Sequence, residues 1–385
     1  MVTWDAGGNL PPLLALGREL QRRGHRVHCL APETVRGAAV RSGVVFRPLR
    51  HGALFDPLAA VPVEQSQQAQ AHVFFDDGYI EDVRAEVEYE QPDVIVIDCF
   101  LVTAQAASEA IGVPFALLVH TLPGWFMAFW DRVFLGATNA VRARMNLVSV
   151  ASTADLWARA DRTLVATTPL LDGDGEHVAD LPRLRYVGPL LEREDADEQA
   201  GVAVRSSGDP LVLVSFSTTF MEQEEALSRT IAALRMLAVR AIVTTGPAVS
   251  PAALPAARNV TVRRWVPHAA VLRETALVIT HAGHSTVVKA LAYGVPLLCI
   301  PLGRDQRFIA ERVERLGAGI SVPANATPDR LASAITLLLR DLSYREAAQR
   351  VASAIRAEGF GAERAAAELE TLSAGQLDPN IERSV

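Results

Sequence analysis

Short, almost wholly apolar runs recur along the chain, each followed by a segment with helical spacing. Residues 92–98, 114–119, 162–166, 211–217, 241–244, 276–280 and 296–302 are the clearest runs. They lack the apolar–polar alternation of a half-exposed strand, so they read as strands of parallel sheets covered on both faces. Shorter strands are expected at 1–4, 26–30, 44–48, 184–187, 260–262 and 319–322. Between them, helices are predicted over 11–23, 79–90, 104–111, 222–237, 268–274, 307–316, 344–358 and 362–372. In the first of these, Leu13, Leu14, Leu16, Gly17 and Leu20 form one apolar stripe. Thr327-Pro328-Asp329 starts a further helix, with a hydroxyl cap followed by proline in the first turn. Alternation of this kind through the whole chain predicts an α/β protein.

Two regions break the pattern. Residues 54–76 mix Gln, Ala and Pro without clear periodicity and suggest a mobile loop and helix. Residues 190–210 are acidic, small and unpatterned, which is the composition of a linker. The boundary divides the chain into a first domain at 1–195, a second at 205–365, and a final helix with a frayed tail at 366–385.

Composition narrows the class. A length of 385 residues suits two ordinary domains. The formal charge of −7 argues against a nucleic-acid partner, which would call for a basic face. No stretch of about 18 uncharged apolar residues occurs, so no membrane span is expected. The opening Met1-Val2-Thr3-Trp4 lacks the basic and apolar regions of a signal peptide and reads as a shortened first strand. Cys29, Cys99 and Cys299 lie far apart in apolar runs, as core residues of a reducing compartment do, without metal-ligand spacing. A soluble cytoplasmic protein, monomer or homodimer, is the expectation.

Chemistry concentrates between His281 and Gln306. A buried strand ends in the turn His281-Ala282-Gly283-His284, after which Ser285 and Thr286 are expected to open and cap a helix running to Gly294. A helix start offers unpaired backbone N–H groups and the positive end of its dipole, an anion site. The next strand runs into Gly303-Arg304-Asp305-Gln306, a polar loop at its carboxyl end, where ligands of open α/β sheets bind. Ser217 and Thr218, ending another strand, add hydroxyl donors. An aromatic cluster of Trp125, Phe126, Phe129, Trp130 and Phe134 follows the strand ending at Val119. It fits a core at helical spacing and a pocket for a flat apolar ligand equally well.

His281-x-Gly283 followed by Ser285-Thr286, with Asp305-Gln306 beyond the next strand, resembles the donor signature of the family-1 glycosyltransferases. Trp265-Val266-Pro267-His268 resembles the preceding segment that holds the base. Residues 7–12 (GGNLPP), the helix after them and Arg23-Gly24-His25-Arg26-Val27 are similar to the opening of the acceptor domain. The likeness runs in order through nearly the whole chain, and its style is that of actinobacterial-type enzymes that decorate natural products with dTDP-deoxysugars.

The resemblance implies a GT-B fold of two doubly wound Rossmann-like domains, with parallel sheets facing across a cleft. It implies inverting, metal-independent transfer of a (deoxy)hexose from a nucleoside diphosphate to a small aromatic or polyketide acceptor, by O- or C-glycosylation. No cofactor is implied beyond that co-substrate. By resemblance, Trp265 stacks on the base and the Val266 backbone pairs with its edge. His281, Gly283, Ser285, Thr286 and, less clearly, His284 take the pyrophosphate, while Asp305 and Gln306 take the sugar hydroxyls. Asp305 also suits a helix cap. The final helix returns to the first domain; on the pocket reading of the aromatic cluster, which the residues favour no more than the core reading, Trp125, Phe126, Phe129 and Trp130 line the acceptor side.

Two positions depart from the family. Lys289 stands where relatives using UDP-sugars carry a glutamate for the ribose hydroxyls, and lysine accepts no hydrogen bond; dTDP, without the 2′-hydroxyl, is favoured. Asn9 stands where most members have a histidine general base, and a carboxamide takes no proton near neutrality. Its usual acidic partner survives as Asp98, with Asp5 and His120 at neighbouring strand ends. Three explanations remain open: an acidic acceptor such as a phenol, a new bond to carbon or nitrogen, or lost catalysis in an auxiliary nucleotide-sugar binder. A GT-B epimerase or phosphorylase is a more distant alternative, without the basic phosphate site that phosphorolysis requires.

Overall fold

The computed structural model describes residues 1–173, 181–191 and 208–375. They form two compact units, one built from 1–56, 62–191 and the segment from 359 onward, the other from 57–61 and the segment from 192 to 358. The linker expected at 190–210 lies largely outside the described residues, as does most of the tail after Ala374.

In the first unit, strands β1 (His28–Ala31) and β2 (Val45–Pro48) pair in parallel. Strands β3 (Ile95–Asp98), β4 (Phe115–Val119), β5 (Arg162–Val165) and β6 (Leu184–Tyr186) form a second parallel row in that order. The expected opening strand is reduced to one residue: Val2 bridges Leu30 of β1 and Ile97 of β3 and so joins the two rows. Its backbone donates from Val2 N to Val96 O at 2.8 Å, and Asp98 N donates back to Val2 O at 3.1 Å. The order reverses across Val2, which makes the loops after Val2 and β3 the switch point of this sheet. Asp5 and Asn9 lie in the first loop, and Asp98 ends β3.

The helix Leu10–Arg22 buries Leu13, Leu14, Leu16 and Leu20, as the stripe predicts. The last helix, Gly361–Ser373, packs on it within the first unit. Arg23 ties the two through Glu370 at 2.7 Å and the Glu363 carbonyl at 2.9 Å. Gly361 lets the start of the last helix lie against the segment after β6, since a Cβ there would lie 2.5 Å from the Pro189 carbonyl oxygen.

The second unit holds one six-stranded parallel sheet: β7 (Leu211–Ser215), β8 (Arg240–Thr244), β9 (Val260–Arg263), β10 (Thr275–Thr280), β11 (Leu297–Cys299) and β12 (Gly319–Ser321). The spatial order β12-β11-β10-β7-β8-β9 reverses between β10 and β7. The loops after β10 and β7 are therefore the second switch point, and His281 and Ser217 lie in them. Thr327 caps the helix Pro328–Arg340 by accepting from the Arg330 amide at 3.3 Å. Strand β7 ends two residues before the expected Ser217, and β11 is only three residues long. Residues 54–76 divide: Val63–Phe75 is a helix of the first unit, whereas Pro57–Val61 groups with the second, where Phe220 N donates to Pro57 O at 2.8 Å.

All three cysteines are buried and none is in a disulfide. Among the described residues, no helix is long and apolar enough to cross a membrane.

Candidate active site

In the second unit the turn after β10 is tight and strained. Ala282 adopts a left-handed backbone at φ 66°, a costly conformation for a residue with a side chain. Gly283 follows at φ −64° and ψ 135°, in the cap position of the helix His284–Ala292. That conformation suits any residue; glycine is required by space. A Cβ on Gly283 would stand 2.5 Å from His281 Nε2 and 2.7 Å from Cε1.

The helix thus begins one residue earlier than expected, and neither Ser285 nor Thr286 caps it with a side chain. They occupy its first turn instead, and the Thr286 N–H closes on the Gly283 carbonyl at 3.1 Å. His284, the less clear of the pyrophosphate candidates by sequence, is buried. His281 is buried as well, and its Nδ1 lies 3.4 Å from Thr280 Oγ1. Burial and then the charge of Arg304 push its pKa down to about 3, against a raising bond with the Ser215 backbone. His281 is accordingly neutral at physiological pH, with one N–H to donate.

Arg304 was not singled out by sequence, although it precedes Asp305 directly. It too has a left-handed backbone, at φ 57°, so the loops after β10 and β11 each hold a strained residue. Burial lowers its pKa, against the opposing charge of Asp305. Asp305 occupies the cap position of the helix Gln306–Arg315, but its carboxylate makes no capping bond. Gln306 turns inward and is 2% exposed. Its Oε1 accepts from Leu302 N at 2.8 Å and Gly303 N at 3.1 Å, so the amide oxygen shapes the loop.

Ser217 is buried, and its hydroxyl pairs with Thr219 at 2.9 Å, while Thr218 is exposed. Trp265 is 66% exposed beside a buried Val266. A tryptophan left that open carries a large apolar face to solvent, as a stacking platform would. Lys289 is half-buried; its charge and, more strongly, burial bring the His268 pKa down to about 4. His268 Nε2 lies 3.2 Å from Ser215 Oγ.

In the first unit, Asn9 is 2% exposed and committed inward. Its Nδ2 donates to Thr3 Oγ1 at 3.1 Å, Trp4 O at 2.9 Å and Asp98 Oδ2 at 2.9 Å. Its Oδ1 accepts from Ala6 N at 3.1 Å. The Asn9 amide is thus engaged on both its nitrogen and its oxygen within the protein. Asp98, also 2% exposed, accepts at Oδ1 from Phe100 N at 3.1 Å. Its Oδ2 lies 3.1 Å from His120 Nε2. Burial alone would raise the Asp98 pKa, but the His120 charge and the bonds from His120, Asn9 and Phe100 N together hold it below the ordinary range. Asp5 accepts from Gly7 N at 3.3 Å within its own loop. The His120 side chain keeps 11% of its surface exposed and leans on Phe100 at 5.5 Å between ring centroids.

The aromatic cluster divides by helix face. On the helix Pro123–Val133, Phe126 and Trp130 are fully buried and stacked at 4.8 Å, and Trp130 Nε1 donates to Thr138 at 3.0 Å. These two are core. Trp125 and Phe129 stack at 5.0 Å on a half-buried face and remain available to line a pocket.

Two groups among the described residues bring metal-ligand atoms within 4.8 Å of one another: Asp98, Cys99 and His120, and His28, Glu86 and Glu90. In the first, Asp98 already serves Asn9 and His120. In the second, Arg47 pairs with both glutamates.

Residues 229–372 match the family described as "Erythromycin biosynthesis protein CIII-like, C-terminal domain". Over 400 aligned residues the chain is 25% identical to the NDP-glycosyltransferase YjiC of Bacillus subtilis (strain 168), covering 96% of each. It is 28% identical to the demethyllactenocin mycarosyltransferase of Streptomyces fradiae, covering 92% of this chain and 82% of that one. The solved structure of the glycotransferase of kitacinnamycin superposes with a TM-score of 0.78 at 27% identity, covering 97% of both.

Proposed function

We infer that this chain, a glycosyltransferase of the GT-B fold similar to those of natural-product pathways, moves a (deoxy)hexose from dTDP to a small aromatic or polyketide acceptor. Transfer proceeds by one displacement with inversion at the anomeric carbon and requires no metal. The observation that carries the reading is the turn after β10, where neutral His281, packed against Gly283, adjoins the start of a helix.

The chemistry follows from charge. As the glycosidic bond to phosphate breaks, the leaving diphosphate gains negative charge. The helix N-terminus, the neutral His281 N–H, the Ser285 and Thr286 hydroxyls and exposed Thr218 are donors suited to that developing charge. Arg304 adds a cation whose charge already bears on His281. Trp265 offers its open face to the nucleobase. Asp305 receives the hexose hydroxyls from a loop that buried Gln306 holds in shape. Lys289 provides no acceptor for a ribose 2′-hydroxyl, which favours dTDP over UDP. Stacked Trp125 and Phe129 suit a flat acceptor.

A panel of phenolic and polyketide acceptors, incubated with dTDP-glucose and UDP-glucose in EDTA and analysed by mass spectrometry, tests the reading. Transfer from the dTDP donor is expected at rates unaffected by the chelator. No product from either donor, or a clear UDP preference in transfer and in calorimetric binding, overturns it. The auxiliary-binder reading rested on Asn9 and is weakened by the Asp98–His120 pair beside it.

A further inference from the structure

We propose that the proton acceptor of this enzyme is His120, oriented by Asp98, and that Asn9 is a positioning residue that holds Asp98 in place for it. The proposal rests on the transferase reading and deepens it by assigning the base that residue 9 lacks.

Geometry argues against Asn9 and Asp98 themselves as the base. Both Asn9 amide hydrogens are spent on Thr3, Trp4 and Asp98, and its oxygen takes the Ala6 amide. Asp98 is equally enclosed and accepts from Asn9, His120 and the Phe100 N–H. A carboxylate with three donors is stabilised as the anion and is a poor base. His120 alone of the three is partly open to solvent, at 11% of its side chain. With Nε2–H donating to Asp98, the ring's lone pair lies on Nδ1, and the imidazolium formed on protonation faces a fixed anion.

The step balances within the named groups. The acceptor hydroxyl oxygen forms its bond to the anomeric carbon while its proton passes to His120 Nδ1. The bond from anomeric carbon to phosphate oxygen breaks, and its electron pair leaves with the diphosphate. Asp98 stays ionised throughout. The base thus comes from the end of β4 instead of the loop before the first helix. Among the described residues, the Cys99 thiol and the Tyr79 phenol also lie near the pair; burial raises the pKa of the latter, with the Asp98 charge adding to the rise.

The test combines kinetics with NMR of the full chain. His120→Gln is expected to lower kcat about 100- to 10,000-fold, the usual yield of a general base, with the dTDP dissociation constant unchanged. Asn9→Ala removes one donor from Asp98, making the carboxylate a stronger partner for the imidazolium. The acidic limb of kcat/KM and the NMR-titrated His120 pKa should then move together to higher pH, a change that a purely structural role would not produce. Asn9→His combined with His120→Asn should recover at least about tenfold over His120→Asn alone, because the imidazole returns to the other side of Asp98.

Full turnover in folded His120→Gln, an acidic limb indifferent to Asn9→Ala, or a wild-type His120 protonated at Nδ1 in 15N spectra would each overturn the proposal. Failure of the transferase reading looks different: wild-type protein makes no product, while the 15N spectra still report whether Asp98 fixes the His120 tautomer.

Discussion

Replacing Gly283 by alanine places a methyl group where the structure has no room for one. The new Cβ would stand 2.5 Å from His281 Nε2, and His281 is buried, at 8% exposure. Overpacking of this kind costs about 1–3 kcal/mol. The backbone at φ −64° and ψ 135° accepts alanine readily, which returns about 0.4–1 kcal/mol through the unfolded chain. The net expectation is a loss of up to about 2.5 kcal/mol, with His281 displaced from its position at the helix start. If the displaced imidazole loses its bond to the diphosphate, affinity for dTDP falls by about 1.5–3 kcal/mol, the worth of a hydrogen bond to a charged group, or roughly 10- to 150-fold.

Differential scanning calorimetry and titration calorimetry with dTDP would measure both effects. The decisive control is the double-mutant cycle. With His281→Ala already in place the clash has no partner, so adding Gly283→Ala should be neutral or stabilising by about 0.4–1 kcal/mol. A glycine substitution that costs the same in both backgrounds, or that leaves stability and dTDP affinity untouched in the wild type, would refute the reasoning.

Other expectations follow from the same structure. Trp265→Ala should leave thermal stability within about 0.5 kcal/mol, because the ring is exposed; loss of base stacking worth about 1–3 kcal/mol should weaken dTDP binding roughly 5- to 150-fold without affecting inorganic pyrophosphate. Trp130→Ala should cost about 3–5 kcal/mol of stability as a core deletion, whereas Trp125→Ala should mainly raise the KM for the acceptor; equal stability losses would contradict the division by helix face. Glu19 is buried under Arg22 and Arg23, whose bonds hold its carboxyl down to about 2. Because the folded value is depressed, the stabilisation is complete above the ordinary glutamate pKa and is lost as pH falls toward 2. Allowing for the exposure of Arg22, the loss is about 1–3 kcal/mol, and urea midpoints measured from pH 5 to pH 2 should flatten in Glu19→Gln.

Much of the architecture was legible because its signals are local. A strand covered on both faces must be apolar throughout, so β3, β4, β7 and β10 stood out in the chain. The capping Thr327, the stripe of Leu13, Leu16 and Leu20 and the glycine of the turn after β10 also act within a few residues of themselves. Ends were less legible. The opening strand shrank to Val2, and the helix after β10 began at His284, because neighbouring backbone decides how far each ladder runs.

Sequence alone determined that residue 9 cannot be a base, that a helix starts just after His281 and that a polar loop follows β11. Only the tertiary structure decided what the side chains there do. Asp98 meets Asn9 across 89 positions and His120 across 22, contacts set by which strands adjoin in the sheet and invisible to any local pattern. Gln306 turned inward and Phe126 and Trp130 went to the core for the same reason. A polar or aromatic side chain reads alike in either role until the packing around it settles whether it meets water or the interior.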